Sequence, residues 1–334
     1  MAASKENPIY TVYAISDNTK YNLTECVEEI NISDSEKQIS KRVQLTLANI
    51  QTGGRWLSSI LKVRDRVYLY ANDGEKTEEV WRGFVWDFGY KSSLTSRMIA
   101  LNCYDNLIYC QESEESKYFS AGKSTKDVIS SICSEWGIKL EYTYSSITHS
   151  KLPLRGNLYS ILTADLLDLV KERTGIKYVV LSEKDVMYIK PVGKNATIYK
   201  ITAGQNATMT ETEVTMEGMI TKVKILGKTD DNDRTPVEAT VTGKTSQYGT
   251  LQKLISRNEN TSLADAKKEA NSLLKENGEP KRTYTVEGPD IPWIRKGDMV
   301  YVNAGNLTGN FIVKTTERII SSSKKKMTLT MEDV

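Results

Sequence analysis

The sequence predicts a mainly β protein with an α+β insert. Three observations carry the prediction: a β unit occurs twice, apolar residues alternate with period 2 in and around it, and between the copies the period changes to 3.6. The first copy runs Asp65-Arg66-Val67-Tyr68-Leu69-Tyr70, a polar turn, Trp81-Arg82-Gly83-Phe84-Val85, then Ile99-Ala100-Leu101-Asn102-Cys103-Tyr104-Asp105. The second runs Asp298-Met299-Val300-Tyr301-Val302, a shorter turn, Leu307-Thr308-Gly309-Asn310-Phe311-Ile312-Val313, then Met327-Thr328-Leu329-Thr330-Met331-Glu332-Asp333.

Up to about residue 115 the chain reads as short strands with one buried face, marked by Val43, Leu45 and Leu47, by Val67 and Leu69, and by Ile99, Leu101 and Cys103. Asn72-Asp73-Gly74 and Gly53-Gly54 supply residues that accept the positive φ of tight turns. Trp56, Trp81, Trp86, Phe84 and Phe88 are expected to fill the interior of a barrel or sandwich. A helix then opens at Ser124-Thr125-Lys126-Asp127, carries Val128, Ile129, Ile132 and Cys133 on one face and stops at Gly137. A second, with Thr163 as the expected N-cap, buries Leu166, Leu167, Leu169 and Val170 and ends at Gly175. The two match residue for residue at one constant offset, Thr125, Asp127, Val128, Ile129, Ile132 and Gly137 against Thr163, Asp165, Leu166, Leu167, Val170 and Gly175. A hairpin follows, Tyr178-Val179-Val180-Leu181 and Val186-Met187-Tyr188-Ile189, turned by Glu183-Lys184-Asp185.

From about residue 196 strands return, and Thr221-Lys222-Val223-Lys224-Ile225 resembles Lys41-Arg42-Val43-Gln44-Leu45, which extends the duplication by one strand. Lys228 to Arg234 reads as a loop. One further helix is expected at about 262–277, capped by Thr261 or Ser262 and buried through Leu263, Ala266, Ala270, Leu273 and Leu274. The expected division is residues 1–115 for the first β domain, 116–195 for the α+β insert and 196–334 for the second β domain.

A chain of 334 residues can build two or three cores, and its formal net charge of +2 demands no polyanionic partner. No apolar run reaches the length of a membrane span, and residues near the start lack the basic and apolar regions of a secretory leader, so synthesis in a bacterial cytoplasm is expected. Cys26, Cys103, Cys110 and Cys133 have no CxxC spacing, and the one histidine is His149, a poor set of zinc ligands. Buried thiols in a reducing compartment are expected instead.

Several motifs invite a catalytic reading and do not sustain it. Gly122-Lys123-Ser124-Thr125 ends like a phosphate-binding loop, but Lys117 stands where that loop needs a glycine, and the acidic Glu112-Ser113-Glu114-Glu115 precedes it. A turn followed by a helix cap accounts for it. Glu78-Glu79, Glu114-Glu115 and the Asp230-Asp231-Asn232-Asp233 run fall in stretches that read as polar turns, without the apolar setting that raises a catalytic acid. The last also lacks the glycine and distal glutamate of a calcium loop. No Gly-x-Ser-x-Gly occurs, and His149 would have to serve every role in a hydrolase. Lys324-Lys325-Lys326 and Lys267-Lys268 read as solvated charge; a tube lining that meets DNA is the sharper alternative. No catalytic, cofactor-binding or metal-binding residue is assigned, and no cofactor is expected.

The layout resembles the baseplate hub proteins of contractile phage tails, the late-control protein D group and its relatives in defective prophages and phage-tail-like bacteriocins. Arg64-Asp65-Arg66-Val67-Tyr68-Leu69-Tyr70, Trp81-Arg82-Gly83-Phe84-Val85, Phe119-Ser120-Ala121-Gly122-Lys123-Ser124-Thr125, Ile294-Arg295-Lys296-Gly297-Asp298-Met299-Val300, Phe311-Ile312-Val313 and Met327-Thr328-Leu329-Thr330-Met331 carry the resemblance. It covers nearly the whole chain, and its specificity lies in the order of β unit, helical insert and β unit. It implies two tail-tube-like antiparallel β-barrel domains per chain and a homotrimer whose six barrels form a pseudo-sixfold ring. That ring joins a tail tube protein above to a spike protein below, beside other baseplate and tape-measure proteins, with DNA in the lumen where the particle is a phage. Some relatives add a peptidoglycan-cleaving domain; no segment of this sequence is left for one. The alternatives are a hub with peptidoglycan-hydrolase activity, in a cleft between the insert and the second barrel, and a β-rich carbohydrate-binding module using Trp81 or Trp86.

Overall fold

The computed structural model describes residues 7–143, 146–229, 233–257 and 262–334. They form two compact units: the chain up to Glu211 together with Thr285–Val334, and Thr212–Tyr284. The first follows the path of a 13-stranded sheet, so the mainly β character expected from period 2 is what the chain adopts. Val43, Leu45, Leu47, Val67, Leu69, Ile99, Leu101 and Cys103 all lie in one buried cluster, each on the inward face of its strand. Burying a Val or Leu side chain stabilises by about 1.5–3 kcal/mol, which fixes the register of every strand with one buried face.

The duplication is present in the main chain. In the first β unit the sheet order is Val27–Ser35, Arg42–Ala48, Arg97–Tyr104, Thr77–Ser92, Arg66–Asn72. In the second it is Met209–Thr215, Lys281–Pro289, Lys325–Asp333, Leu307–Ser321, Met299–Ala304. The turns match bond for bond. Arg64 N–H donates to Val85 O at 2.8 Å and Gly297 N–H to Val313 O at 2.7 Å; Val85 N–H returns to Asp65 O and Val313 N–H to Asp298 O, both at 2.9 Å. Asp65 Oδ2 accepts from Lys62 N–H at 2.8 Å, and Asp298 Oδ2 from Arg295 N–H at 2.9 Å. The long middle strands each carry an irregularity just beyond this point, between Val85 and Asp87 and between Val313 and Thr315, and close their far hairpins alike through Ser93 N–H to Ser96 O and Ser321 N–H to Lys324 O.

Several expectations are corrected. Lys222–Leu226 is not the counterpart of the strand at Arg42; it is the centre of a separate three-stranded sheet, antiparallel to Val237–Thr242 and parallel to Gln252–Ser256. The strand that occupies the equivalent position is Lys281–Pro289. Of the five aromatics expected in the interior only Trp81 is buried in the barrel core, where its indole N–H donates to Lys41 O at 3.2 Å; Phe88 packs against that core, Trp56 is exposed, and Phe84 and Trp86 cluster with Tyr104 and Tyr109 on the other face. Bulk alone cannot tell the two faces of a strand apart.

The insert has its own core of Val128, Ile129, Ile132, Leu158, Ile161, Leu162 and Leu166, joined by Ile39, Leu107 and Cys110. Its first helix, Thr125–Glu135, starts as expected, with Ser124 and Asp127 in a reciprocal capping box, and Gly137 follows it at φ 64°. The second starts earlier than expected. Asn157 caps it, and Thr163 lies within a π-helical segment, Ile161–Leu167, where its hydroxyl donates back to Tyr159 O at 2.8 Å. Gly175, at φ 73°, ends it. The hairpin Tyr178–Glu183 and Val186–Pro191 turns at Lys184 and Asp185, both at positive φ.

In the second unit the helix Leu263–Asn277 is capped by Ser262, and Ala266 and Ala270 are buried against Val223 and Ile225. Leu263 is exposed, and the alternative cap Thr261 lies outside the described residues.

Gly83 shows how tightly the first unit is packed. A Cβ built there would meet Tyr104 O at 2.1 Å and the Trp81 ring at 2.4 Å. Gly83→Ala is therefore expected to lower the urea midpoint by an amount equivalent to about 1–3 kcal/mol, the usual range for overpacking. An unchanged midpoint would show that the strand yields.

Candidate functional site, the joint between the two β units

The two β units are joined by one strand. Met299–Ala304 pairs with the first half of Leu307–Ser321, and the second half of that strand turns to Val27–Ser35 of the first unit, with Thr316 opposite Asp34, Arg318 opposite Ile32 and Ile320 opposite Ile30. Beneath this joint lies a network of buried charge. Arg318 is 2 % exposed, and its Nε donates to Asp290 Oδ1 at 2.8 Å. Its other nitrogens donate to Thr316 Oγ1 at 2.9 Å, Ile291 O at 3.0 Å and Ile294 O at 2.6 Å. Tyr10 donates its hydroxyl proton to the second oxygen of Asp290, which ties the first strand of the chain to the last unit.

A second cation completes the joint. Lys296 is 3 % exposed; its ammonium lies 3.1 Å from Asp34 and donates to Ser35 O, Gln38 O and Ile39 O. Burial alone would raise the Asp34 carboxyl, but Lys296, with Lys41 and Arg318, holds it below the ordinary carboxylate range. Burial lowers the Lys41 amine to about 8 against the pull of Asp34. Asp105 accepts from Ser40 Oγ and from the N–H groups of Lys41 and Leu107, all at 2.9 Å, yet burial still raises it to about 6. On the rim, Lys177 and Lys314 each contact both Glu36 and Glu332, so insert, first unit and last strands share one alternating set of charges. The tip of the insert's hairpin docks the same way, Asp185 accepting from Arg66 and Arg82.

The residues singled out from sequence scatter away from this joint. Gly122 lies at φ 92° in a turn closed by its N–H to His149 O, Ser124 caps a helix, and Thr125 is buried with its hydroxyl 2.7 Å from His149 Nε2. Burial, with Arg173 nearby, lowers the His149 imidazole. Glu78 and Glu79 lie in a strand rather than a turn, Glu79 paired to Arg82; Glu114 and Glu115 also lie in a strand, Glu115 accepting from the Trp136 indole at 2.9 Å. Asp230 to Asn232 lie outside the described residues. Cys26, Cys103, Cys110 and Cys133 are buried, and burial raises every thiol, Cys110 and Cys133 to about 12. Lys325 and Lys326 begin a strand, Lys326 paired to Glu287, while Lys267 and Lys268 are exposed on a helix. Trp81 is too deeply buried to stack on a sugar.

One cleft does combine insert and second β unit. It has a volume of about 420 Å³ and is lined by Lys76, Glu78, Glu183, Lys190, Arg295 and Asp298 among others. Burial raises Asp298 to about 6; for Glu183, burial is outweighed by Arg295 and Lys190, which hold it low. A raised and a lowered carboxyl in one cleft is the arrangement an acid–base pair would need. Here Asp298 is already committed to Arg295 N–H, the bond that Asp65 makes to Lys62 N–H in the first unit, so the repeated turn accounts for it.

Sequence reasoning missed Arg318, Asp290, Lys296 and Asp34. Nothing in the local pattern around Arg318 or Lys296 marks a buried charge, and Asp34 and Tyr10 lie far from them in sequence. The available signal was the constant offset between the copies, which runs past Val85 and Val313 through Ser93 and Ser321.

With this geometry stated, the class of fold is clear: it is that of the phage tail proteins. The structure resembles the 43 kDa tail protein of prophage MuSo2 from Shewanella oneidensis, at TM-score 0.71 and 15% identity over 96% of this chain and 98% of that one. It resembles a tail protein from Neisseria meningitidis MC58 at 0.70 and 13%, over 97% and 96%. The E. coli c3393 protein, a type VI secretion component described as similar to the T4 tail proteins gp27 and gp5, matches at 0.55 and 10%, over 92% and 74%. The chain belongs to the YQBQ-like family, whose profile matches residues 30–332. No curated protein matches the sequence.

Removing one partner of a buried pair strands the other charge, at a cost of about 3–5 kcal/mol. Arg318→Met is expected to destabilise the first unit by that order in urea unfolding, with Arg318→Met plus Asp290→Leu recovering part of the loss; equal stability of the single variant and wild type would contradict the network. The carboxyls give opposite pH signs. Asp105 and Asp298, raised to about 6, contribute stability that is complete below pH ~4 and lost as pH rises through 6; Asp34, lowered, contributes stability present above pH ~4 and lost in acid. Asp298→Asn, which keeps an acceptor for Arg295 N–H, should therefore flatten the decline in stability between pH 4 and 6.5.

Proposed function

We propose that this chain is the structural baseplate hub of a contractile injection tail. Three copies form a pseudo-sixfold ring that joins the tail tube to the central spike and initiates tube assembly. The supporting observation is the bond-for-bond repetition of the β unit: two similar wall elements in one chain allow threefold and sixfold partners to share an axis. The family match and the likeness to tail proteins support the same reading. In this proposal residues 1–115 and 196–334 supply the tube-like domains and 116–195 the insert. The partners are a tube protein on one side and a spike on the other, with other baseplate and tape-measure proteins around them, and the product of cytoplasmic synthesis becomes part of the particle.

The reading is non-enzymatic. A hydrolase alternative draws on the cleft at Asp298, and it is weakened by the turn bond that already occupies that carboxyl.

Negative-stain electron microscopy and solution mass of the purified chain test the proposal together. Rings with a central pore and the mass of three chains are expected, and added tube protein should polymerise from them. A protein that stays monomeric at high concentration and releases sugars from cell walls, with the release abolished by Asp298→Asn, would overturn the proposal in favour of the hydrolase.

A further inference from the structure

The joint between the β units leaves two strand edges whose counterparts inside the chain are paired. In the second β unit the outer edge of Thr315–Ser321 is covered by Val27–Ser35. The equivalent stretch of the first unit is Asp87–Ser93, because the matched turns and irregularities place Val85 with Val313 and Ser93 with Ser321. Phe88, Tyr90 and Ser92 thus occupy the positions of Thr316, Arg318 and Ile320. Asp87–Ser92 pairs with Arg97–Asn102 on one side, and on its other side no strand among the described residues meets it; Arg66–Asn72 covers only the first half of Thr77–Ser92, up to Phe84.

The consequence shows in the side chains. Thr316, Arg318 and Ile320 are all buried, whereas Phe88 is half-buried, Tyr90 is 49 % exposed and Ser92 is exposed. The same row of positions is closed in one unit and open in the other. The main chain there is also ready to pair. The hydrogen-bonded Ser93–Ser96 turn sets the alternation along the ladder, which directs the N–H and C=O groups of Phe88, Tyr90 and Ser92 away from Arg97–Tyr104.

The second free edge is the counterpart of Val27–Ser35. By sheet order it is Met209–Thr215, the end strand, whose neighbour among the described strands is Lys281–Pro289. Thr208 N–H donates to Glu287 O at 2.7 Å, so alternation turns the main chain of Met209, Glu211 and Glu213 outward. The strand exposes Met209, Glu211 and Glu213 on one face and Val214 on the other. Met209 is the apolar side chain that can cover Tyr90, and the two glutamates on its face are opposite in sign to the exposed Arg97, which lies across from Ser92 on the Tyr90 face. A long exposed edge invites pairing unless something blocks it, and neither edge holds a proline.

We infer that Asp87–Ser93 of one copy pairs antiparallel with Met209–Thr215 of the next, repeating between chains the joint that Leu307–Ser321 and Val27–Ser35 make within one. The occupant of each edge is a second copy of this chain, since the joint inside the chain is the template for both. The contact is heterologous, with one edge given and the other received, and so extends from copy to copy until the ring closes. This rests on the ring proposed above and says which strands close it.

Tyr90→Pro and Glu211→Pro each remove an outward donor at a position where an edge strand tolerates proline. Each is expected to abolish the trimer in sedimentation while leaving the urea midpoint near that of the wild type. Tyr90→Cys combined in turn with Met209→Cys, Glu211→Cys and Glu213→Cys should give disulfide-linked chains in at least one combination, a readout that does not depend on how the proline variants fold. Rings that persist in both proline variants, with no cross-link in any cysteine combination, would overturn this pairing and leave the ring itself standing. A wild-type chain that never associates would overturn the ring, and the pairing with it.

Discussion

The chain's two β units depend on a pair of buried cations. Arg318 and Lys296 sit where the strand Leu307–Ser321 passes from its own unit to Val27–Ser35, and they are neutralised by Asp290 and Asp34 from opposite ends of the sequence. Buried ion pairs contribute little net stability compared with apolar packing of the same shape, but a single unpaired charge there is costly. Such a network penalises every arrangement of the two units except the one in which all its members meet. Carbonyls at Ser35, Gln38, Ile39, Ile291 and Ile294 complete the set of acceptors, so the loops flanking the joint are held by the same side chains.

What was legible in the sequence follows from which forces act locally. Period-2 burial at Val43, Leu45 and Leu47 and the capping box at Ser124 are local, and the structure has them as read. The repeat was visible because Asp65 and Asp298 serve the same turn. Where reading failed, the deciding contact was remote. The strand at Lys222 has the right alternation but another partner; Thr163 is of a residue type that caps helices, but Asn157 begins the helix earlier. Nothing local marks Arg318 as buried, because Asp290 and the Tyr10 that holds Asp290 lie elsewhere in the chain.

The two copies are alike in main chain and unlike in what surrounds them. At the internal joint the inward row carries Thr316, Arg318 and Ile320, which suits a permanent ionic contact; the equivalent row in the first unit carries Phe88, Tyr90 and Ser92. Aromatic side chains are typical of surfaces that meet another protein after folding, and buried charge networks of surfaces that never separate. On the proposed pairing, the duplication has diverged according to whether its joint lies within a chain or between chains. The same logic explains why the search for catalytic groups led back to architecture: His149, Asp298 and the four cysteines are each accounted for by a cap, a turn or a core.

The central claim is that both β units are equivalent wall segments of one ring. Rotational analysis of class averages of the purified rings, viewed end-on, measures this directly. The account predicts a strong sixfold component near the pore with a weaker threefold one contributed by the parts of the chain that are not duplicated. A threefold pattern with no sixfold component near the pore would contradict it.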